Sequence, residues 1–290
     1  MRWRRVDSTD VIDQRRASGF PGGGRVAIPG GLGAAGIIIF LALQLLSGGS
    51  GSSFAVDDPF GGSTQAPGVG DPRGIPASRD PDRDLKDFSV YVFERTQQVW
   101  QKTLTDQGQP YQHAKLVLYR GGVQTGCGSA TSAVGPFYCP ADQRVYLDLS
   151  FYNDMQNQLQ ASGDFAWAYV IAHEIGHHVQ EQLGTSERVS RLQQEHPDQR
   201  NQLSVRLELQ ADCYAGVWAK TVYNELEPGD IGEAMNASRA VGDDRLQRQA
   251  SGSVNPDTFT HGTSTQRSQW FKRGQESGQP ADCDTFSGDV

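Results

Sequence analysis

Cysteine is scarce in this chain of 290 residues: four in all, Cys127, Cys139, Cys213 and Cys283, none in a C-x-x-C pair. That argues against a structural zinc site of the cysteine type. Basic residues are outnumbered, 26 Lys and Arg against 34 Asp and Glu, for a net charge of −8. The first 25 residues hold six of the arginines and three aspartates, which leaves 20 basic and 31 acidic residues beyond them, net −11. So acidic a domain lacks the electrostatic footprint of a nucleic-acid binder. Internal repeats are absent. Only one long apolar run occurs, too few for an integral-membrane peptidase with several spans. Histidine occurs six times, so the placement of any two is informative.

Two of them form His173-Glu174-Ile175-Gly176-His177, an H-E-x-x-H. On a helix, residues i and i+4 project from one face, about 40° apart around the axis. Two imidazoles so spaced can bind one metal ion, and the glutamate between them can reach a water on that ion. A random chain of this composition would contain the pattern on the order of 0.01 times. The alternative is a solvated His/Glu helix face. The flanks run from Asp164, a suitable N-cap, to Gly184, a suitable stop, and are apolar on most faces. This predicts a buried helix, which needs a partner for its polar groups, and a divalent cation supplies one. Gly176 lets another element approach closely. His178 points away from the pair, as a surface or hydrogen-bonded histidine.

Downstream, Glu208 and Asp212 again share a helix face within 201–223, the reading being either an exposed carboxylate pair or part of a metal site. The combination of H-E-x-x-H, Arg206-Leu207-Glu208-Leu209-Gln210-Ala211-Asp212-Cys213 and Thr260-His261-Gly262-Thr263-Ser264 resembles the bacterial family of putative neutral zinc metallopeptidases. Arg2-Trp3-Arg4 and Gly135-Pro136-Phe137-Tyr138-Cys139-Pro140 extend the resemblance over nearly the whole chain. As in glutamate-type zincins, it implies one Zn2+ per chain held by His173, His177 and Glu208, with Asp212 accepting a hydrogen bond from a ligand imidazole. Glu174 is then the general base, and His261 the candidate to stabilise the oxyanion, unless it only caps the following helix. Tyr214 is a weaker candidate. The implied substrate is a peptide or protein.

The apolar run 27–46 follows an arginine-rich start, and twenty residues match a hydrocarbon core of about 30 Å. The positive-inside rule predicts a single-pass membrane protein, with residues 1–26 cytoplasmic and the catalytic domain outside, in a bacterial cell membrane as the resemblance implies. A cleaved signal peptide ending near Ala55 is the alternative. Residues 47–84 turn to Gly, Ser, Pro and Asp, a flexible linker, and 85–290 form the domain. In an exported domain the four cysteines read as two disulfides. Three pairings are possible; Cys127–Cys139 and Cys213–Cys283 are favoured, the second fastening the C-terminal tail to the Glu208 helix.

Elsewhere the pattern predicts a helix over 85–104, strands over 114–119 and 144–149, and helices starting near Asp230, with Glu233 as its capping partner, and near Thr263 or Ser264. The fold class is α+β: a helix-rich, zincin-like metallopeptidase domain behind one transmembrane helix and a linker. Two other functions compete with an exported peptidase: a zinc-binding but inactive membrane-anchored scaffold, and a domain on the cytoplasmic side.

Overall fold

The computed structural model describes residues 1–16, 75, 77–288 and 290. The apolar run 27–46 and residues 47–74 of the linker lie outside the described residues. Among the described residues no helix is long and apolar enough to cross a membrane.

The strands are β1 (Val11–Asp13), β2 (Lys115–Tyr119), β3 (Gly122–Thr125), β4 (Gly128–Thr131), β5 (Phe137–Cys139) and β6 (Arg144–Asp148). The helices are α1 (Arg83–Asp106), α2 (Phe151–Asn157), α3 (Asp164–Gln182), α4 (Thr185–Glu195), α5 (Arg200–Thr221), α6 (Asp230–Ala240), α7 (Asp243–Ser251) and α8 (Ser264–Ser277). This is an α+β, helix-rich architecture. Four strands form one sheet in the order β1-β2-β6-β5, in which β1, β2 and β6 run parallel and β5 is an antiparallel edge. The pair β3–β4 is a separate hairpin.

Both faces of the sheet are covered, which explains why β2 is apolar from Leu116 to Tyr119 rather than alternating. Leu116 and Leu118 face the main helical core, while Val117 and Tyr119 face a smaller core under the hairpin with Phe137 and Tyr146. The latter two rings stack with centroids 5.0 Å apart. Strands β2 and β6 lie within a residue of their expected limits. The sequence carries no warning of β1, β3, β4 or β5, because runs of three or four residues are too short to display a period.

Residues 1–16 are part of this body, although the sequence sets 1–26 apart as a segment of its own. β1 pairs with β2 in the register Val11↔Leu116, Ile12↔Val117, Asp13↔Leu118. Trp3 packs on Phe88 and Tyr91 of α1. The Met1 amino group sits 2.7 Å from Asp164 and 3.4 Å from Asp230, supplying a cation to that acidic corner.

The central element is α3, packed against α1, α5 and α6 and buried along most of its length. Gly176 faces α5 so closely that a Cβ there would meet the Ala211 carbonyl at 3.1 Å. Where α5 and α8 cross, a Cβ on Gly216 would fall 2.0 Å from the Phe271 carbonyl oxygen, and one on Gly274 1.9 Å from that of Cys213. Bare backbone on both sides is what lets these helices touch. The Cys213–Cys283 disulfide then ties the C-terminal tail to α5, and Cys127–Cys139 closes the β3–β4 loop onto β5, the two pairings favoured from sequence.

Two caps differ from expectation. Asp164 is the first residue of α3 rather than its N-cap, which is Gly163. Glu233 does not cap its own helix; its carboxylate accepts the Phe165 N–H at 3.0 Å and so serves the start of α3. α8 starts at Ser264, as expected, and there Thr263 is the N-cap in a reciprocal capping box with Gln266.

Candidate metal centre

Helix α3 carries His173, Glu174 and His177, and α5 carries Glu208 and Asp212; the glycine contact at position 176 brings these faces together. His173 Nε2 lies 3.2 Å from Glu208 Oε2, and His177 Nε2 3.5 Å from Glu208 Oε1. One ligand atom from each of the three falls within 4.8 Å of the others. On the far side of each ring, His173 Nδ1 lies 2.9 Å from Asp212 Oδ1, and His177 Nδ1 2.8 Å from Gln180 Oε1. A proton on each Nδ1 leaves both Nε2 lone pairs directed at the space beside Glu208. Gln180 is itself held, donating to the Leu207 carbonyl at 2.7 Å.

Glu174 Oε2, His177 Nε2, Glu208 Oε2 and His261 Nε2 are buried without a hydrogen-bond partner. Unpartnered polar atoms inside a protein are costly, and four of them in one place call for a shared partner. Two imidazoles and a carboxylate are a zinc donor set, with room left for water. The residues present fit zinc.

The carboxylates around the histidines favour positive charge at this place, whether it comes as a proton on an imidazole or as a cation. Burial opposes a charge on His173, but Asp212 and Glu208 outweigh it and push its pKa up to about 10. Burial likewise works against the Glu208 carboxylate, yet His177, His261 and His173 hold its pKa well below the usual range. For Asp212, Arg267 and His173 overcome burial and keep it ionised. Glu174 goes the other way: burial dominates, and its pKa is raised, as suits a group that must take up a proton.

His261 stands in the connection before α8 and lines the same cleft as Glu174 and Glu208. Its Nδ1 faces Asp243 Oδ1 at 3.2 Å, and Asp243 also accepts the backbone N–H groups of Thr260, His261 and Gly262. His178 is buried rather than on the surface; it lies 2.6 Å from the Gln112 carbonyl and 3.0 Å from the Tyr138 hydroxyl. Tyr214 packs edge-on against Trp100 and does not line the cleft.

Residues 1–286 match the putative neutral zinc metallopeptidase family. The chain belongs to that family. Among its relatives, the uncharacterized protein YpfJ of Escherichia coli is 47% identical over 292 residues, covering 99% of both chains. An uncharacterized protein of Mycobacterium tuberculosis is 47% identical over 202 residues, 65% of this chain and 66% of its own. No solved structure matches.

The family centre has members that sequence reasoning misses. Arg267 of α8 is buried and forks onto Asp212, Nε to Oδ2 at 2.8 Å and Nη2 to Oδ1 at 3.0 Å. The Tyr169 hydroxyl, one turn before His173, donates to the same Asp212 oxygen. Nothing in the spacing of Arg267 marks it, since an arginine in a polar helix ordinarily faces water. Asp243 lies in the first turn of α7 and is equally silent.

Proposed function

We propose that this protein is a zinc-dependent peptidase with a zincin-like active site, acting on peptide or protein substrates outside the cytoplasm. The observation that carries the reading is Glu174, buried with a free carboxylate oxygen beside three converging ligand atoms. A scaffold site needs the three ligands but has no use for that fourth, costly group. The two disulfides support an oxidising compartment, and the run 27–46 supports membrane attachment.

His173, His177 and Glu208 would hold the metal. When bound, zinc polarises the scissile carbonyl and brings the pKa of water down to about 7. Glu174 takes the proton of the attacking water and returns it to the departing amine, a transfer its raised pKa favours. His261, oriented by Asp243, turns Nε2 into the cleft and donates to the oxyanion as the carbonyl becomes tetrahedral. Asp212 keeps His173 in the tautomer that leaves Nε2 free. β5 is a sheet edge beside this cleft, reached through Pro136, and offers an extended substrate backbone a strand to pair with. Phe151, Met155, Leu159, Val170 and Val241 form an apolar wall fitted to an apolar substrate side chain.

Zinc content and hydrolysis of an unfolded protein, measured on the purified chain and two variants, test the reading. Wild type should bind zinc near one per chain and cleave. Glu174→Gln should keep the zinc and lose at least about 10²-fold in rate. Glu208→Ala should lose the zinc. Zinc bound without cleavage would favour the scaffold instead.

A further inference from the structure

We infer that residues 1–16 and 77–288 stand on the same side of any membrane the protein meets. Three sets of contacts join the two parts. β1 extends the central sheet, with the Leu116 N–H donating to Asp10 at 2.8 Å and the Gln14 N–H to Leu118 at 2.7 Å. Beside it, Lys115 Nζ and His113 Nδ1 lie 2.5 and 3.0 Å from the Asp10 carboxylate. Arg15 buries its guanidinium between Asp13 and Asp80, reaching the two Asp80 oxygens at 3.0 and 2.6 Å. The side chains of Arg15 and Asp80 are both fully enclosed.

Arg15 and Asp80 bracket the intervening stretch, so the chain leaves the domain and rejoins it at one point. A chain that returns to its starting side has crossed a bilayer an even number of times. Two helical crossings need about 40 apolar residues, and only one run of twenty lies between positions 16 and 77.

The opposite arrangement would also damage the domain. With residues 1–16 across a membrane, β2 would present an apolar, unpaired edge, and enclosed Asp80 would lose its guanidinium. The family match begins at residue 1, and so includes β1 together with the metal centre. The positive-inside rule favours the other outcome on charge alone, but it weighs the arginines as free in water, whereas Arg15 is already paired.

The four cysteines pair with one another in two disulfides, and labelling of the unsubstituted protein sets the background against which an introduced thiol is scored. The test places Thr9→Cys or Ser190→Cys, both at exposed positions, in the full-length protein in spheroplasts. A membrane-impermeant maleimide is applied before and after permeabilisation. Both sites reacting before it, or both only after it, supports the inference. One site reacting before and the other only after overturns it. Asp7→Cys, also exposed, replaces Thr9→Cys should that variant fail to accumulate.

Discussion

Arg267 stands behind the candidate metal centre, in contact with Asp212. Its fork onto Asp212 neutralises a carboxylate that burial would otherwise protonate, and Asp212 in turn orients His173. Removing the arginine strands a buried charge. Arg267→Met should cost about 3–5 kcal/mol of stability, measured by denaturant unfolding. It should also weaken zinc about 10–100-fold in competition with a chelator, the usual effect of losing the support behind a ligand. Arg267→Lys restores the charge but not the bidentate geometry, and should recover the stability only in part. At this scale the sequence speaks unevenly. His173, Glu174 and His177 are legible because one helix fixes their spacing. Glu208 and Asp212 become legible once that motif is seen. Arg267, Tyr169 and Asp243 come from other elements and acquire meaning only through contact.

The elements are legible where they are long. α1, α3 and α5 fall close to their expected limits because each displays several turns of periodicity, and α8 starts where expected. What periodicity does not reveal is how closely two helices approach. The pair Gly216 and Gly274 sets the α5–α8 distance, and Gly216→Ala should drive a methyl into the backbone of α8. We expect a loss of about 1–3 kcal/mol or more, since neither backbone can yield. Gly232, inside α6, is the control, because an added Cβ there would meet nothing within 4 Å. There Gly232→Ala should stabilise by about 0.4–1 kcal/mol, by restricting the unfolded chain. Chemical denaturation midpoints of the two variants check both signs. Glu233 teaches the same lesson: its spacing from Asp230 suits a local cap, yet tertiary packing directs it to the start of α3.

Across the whole molecule, the joint between residues 1–16 and the domain should be sensitive to acid. Burial alone would raise the pKa of Asp80, but Arg15 outweighs it and the value falls below 3.8. A carboxylate with a depressed folded pKa contributes stability that is complete above its unfolded pKa and is lost as pH falls through the folded one. The contribution should therefore hold at neutral pH and fade below pH 3.8. Asp80→Asn should lower the melting temperature at neutral pH, and the gap to wild type should narrow as the pH falls through that window. A gap that stays constant would mean that the pair does not titrate with unfolding.

The sequence by itself determined the candidate donor set: a motif within one helical turn, a helper pair within another, and two disulfides among four cysteines. Each depends on residues close in the chain or on a choice among few partners, and local geometry limits both. Only the tertiary structure decided which arginine steadies Asp212, which aspartate orients His261, and that the first residues of the chain complete the sheet. Those contacts join positions 55, 18 and about 100 residues apart. Over such distances no periodicity carries the signal; only the packing of one element on another does.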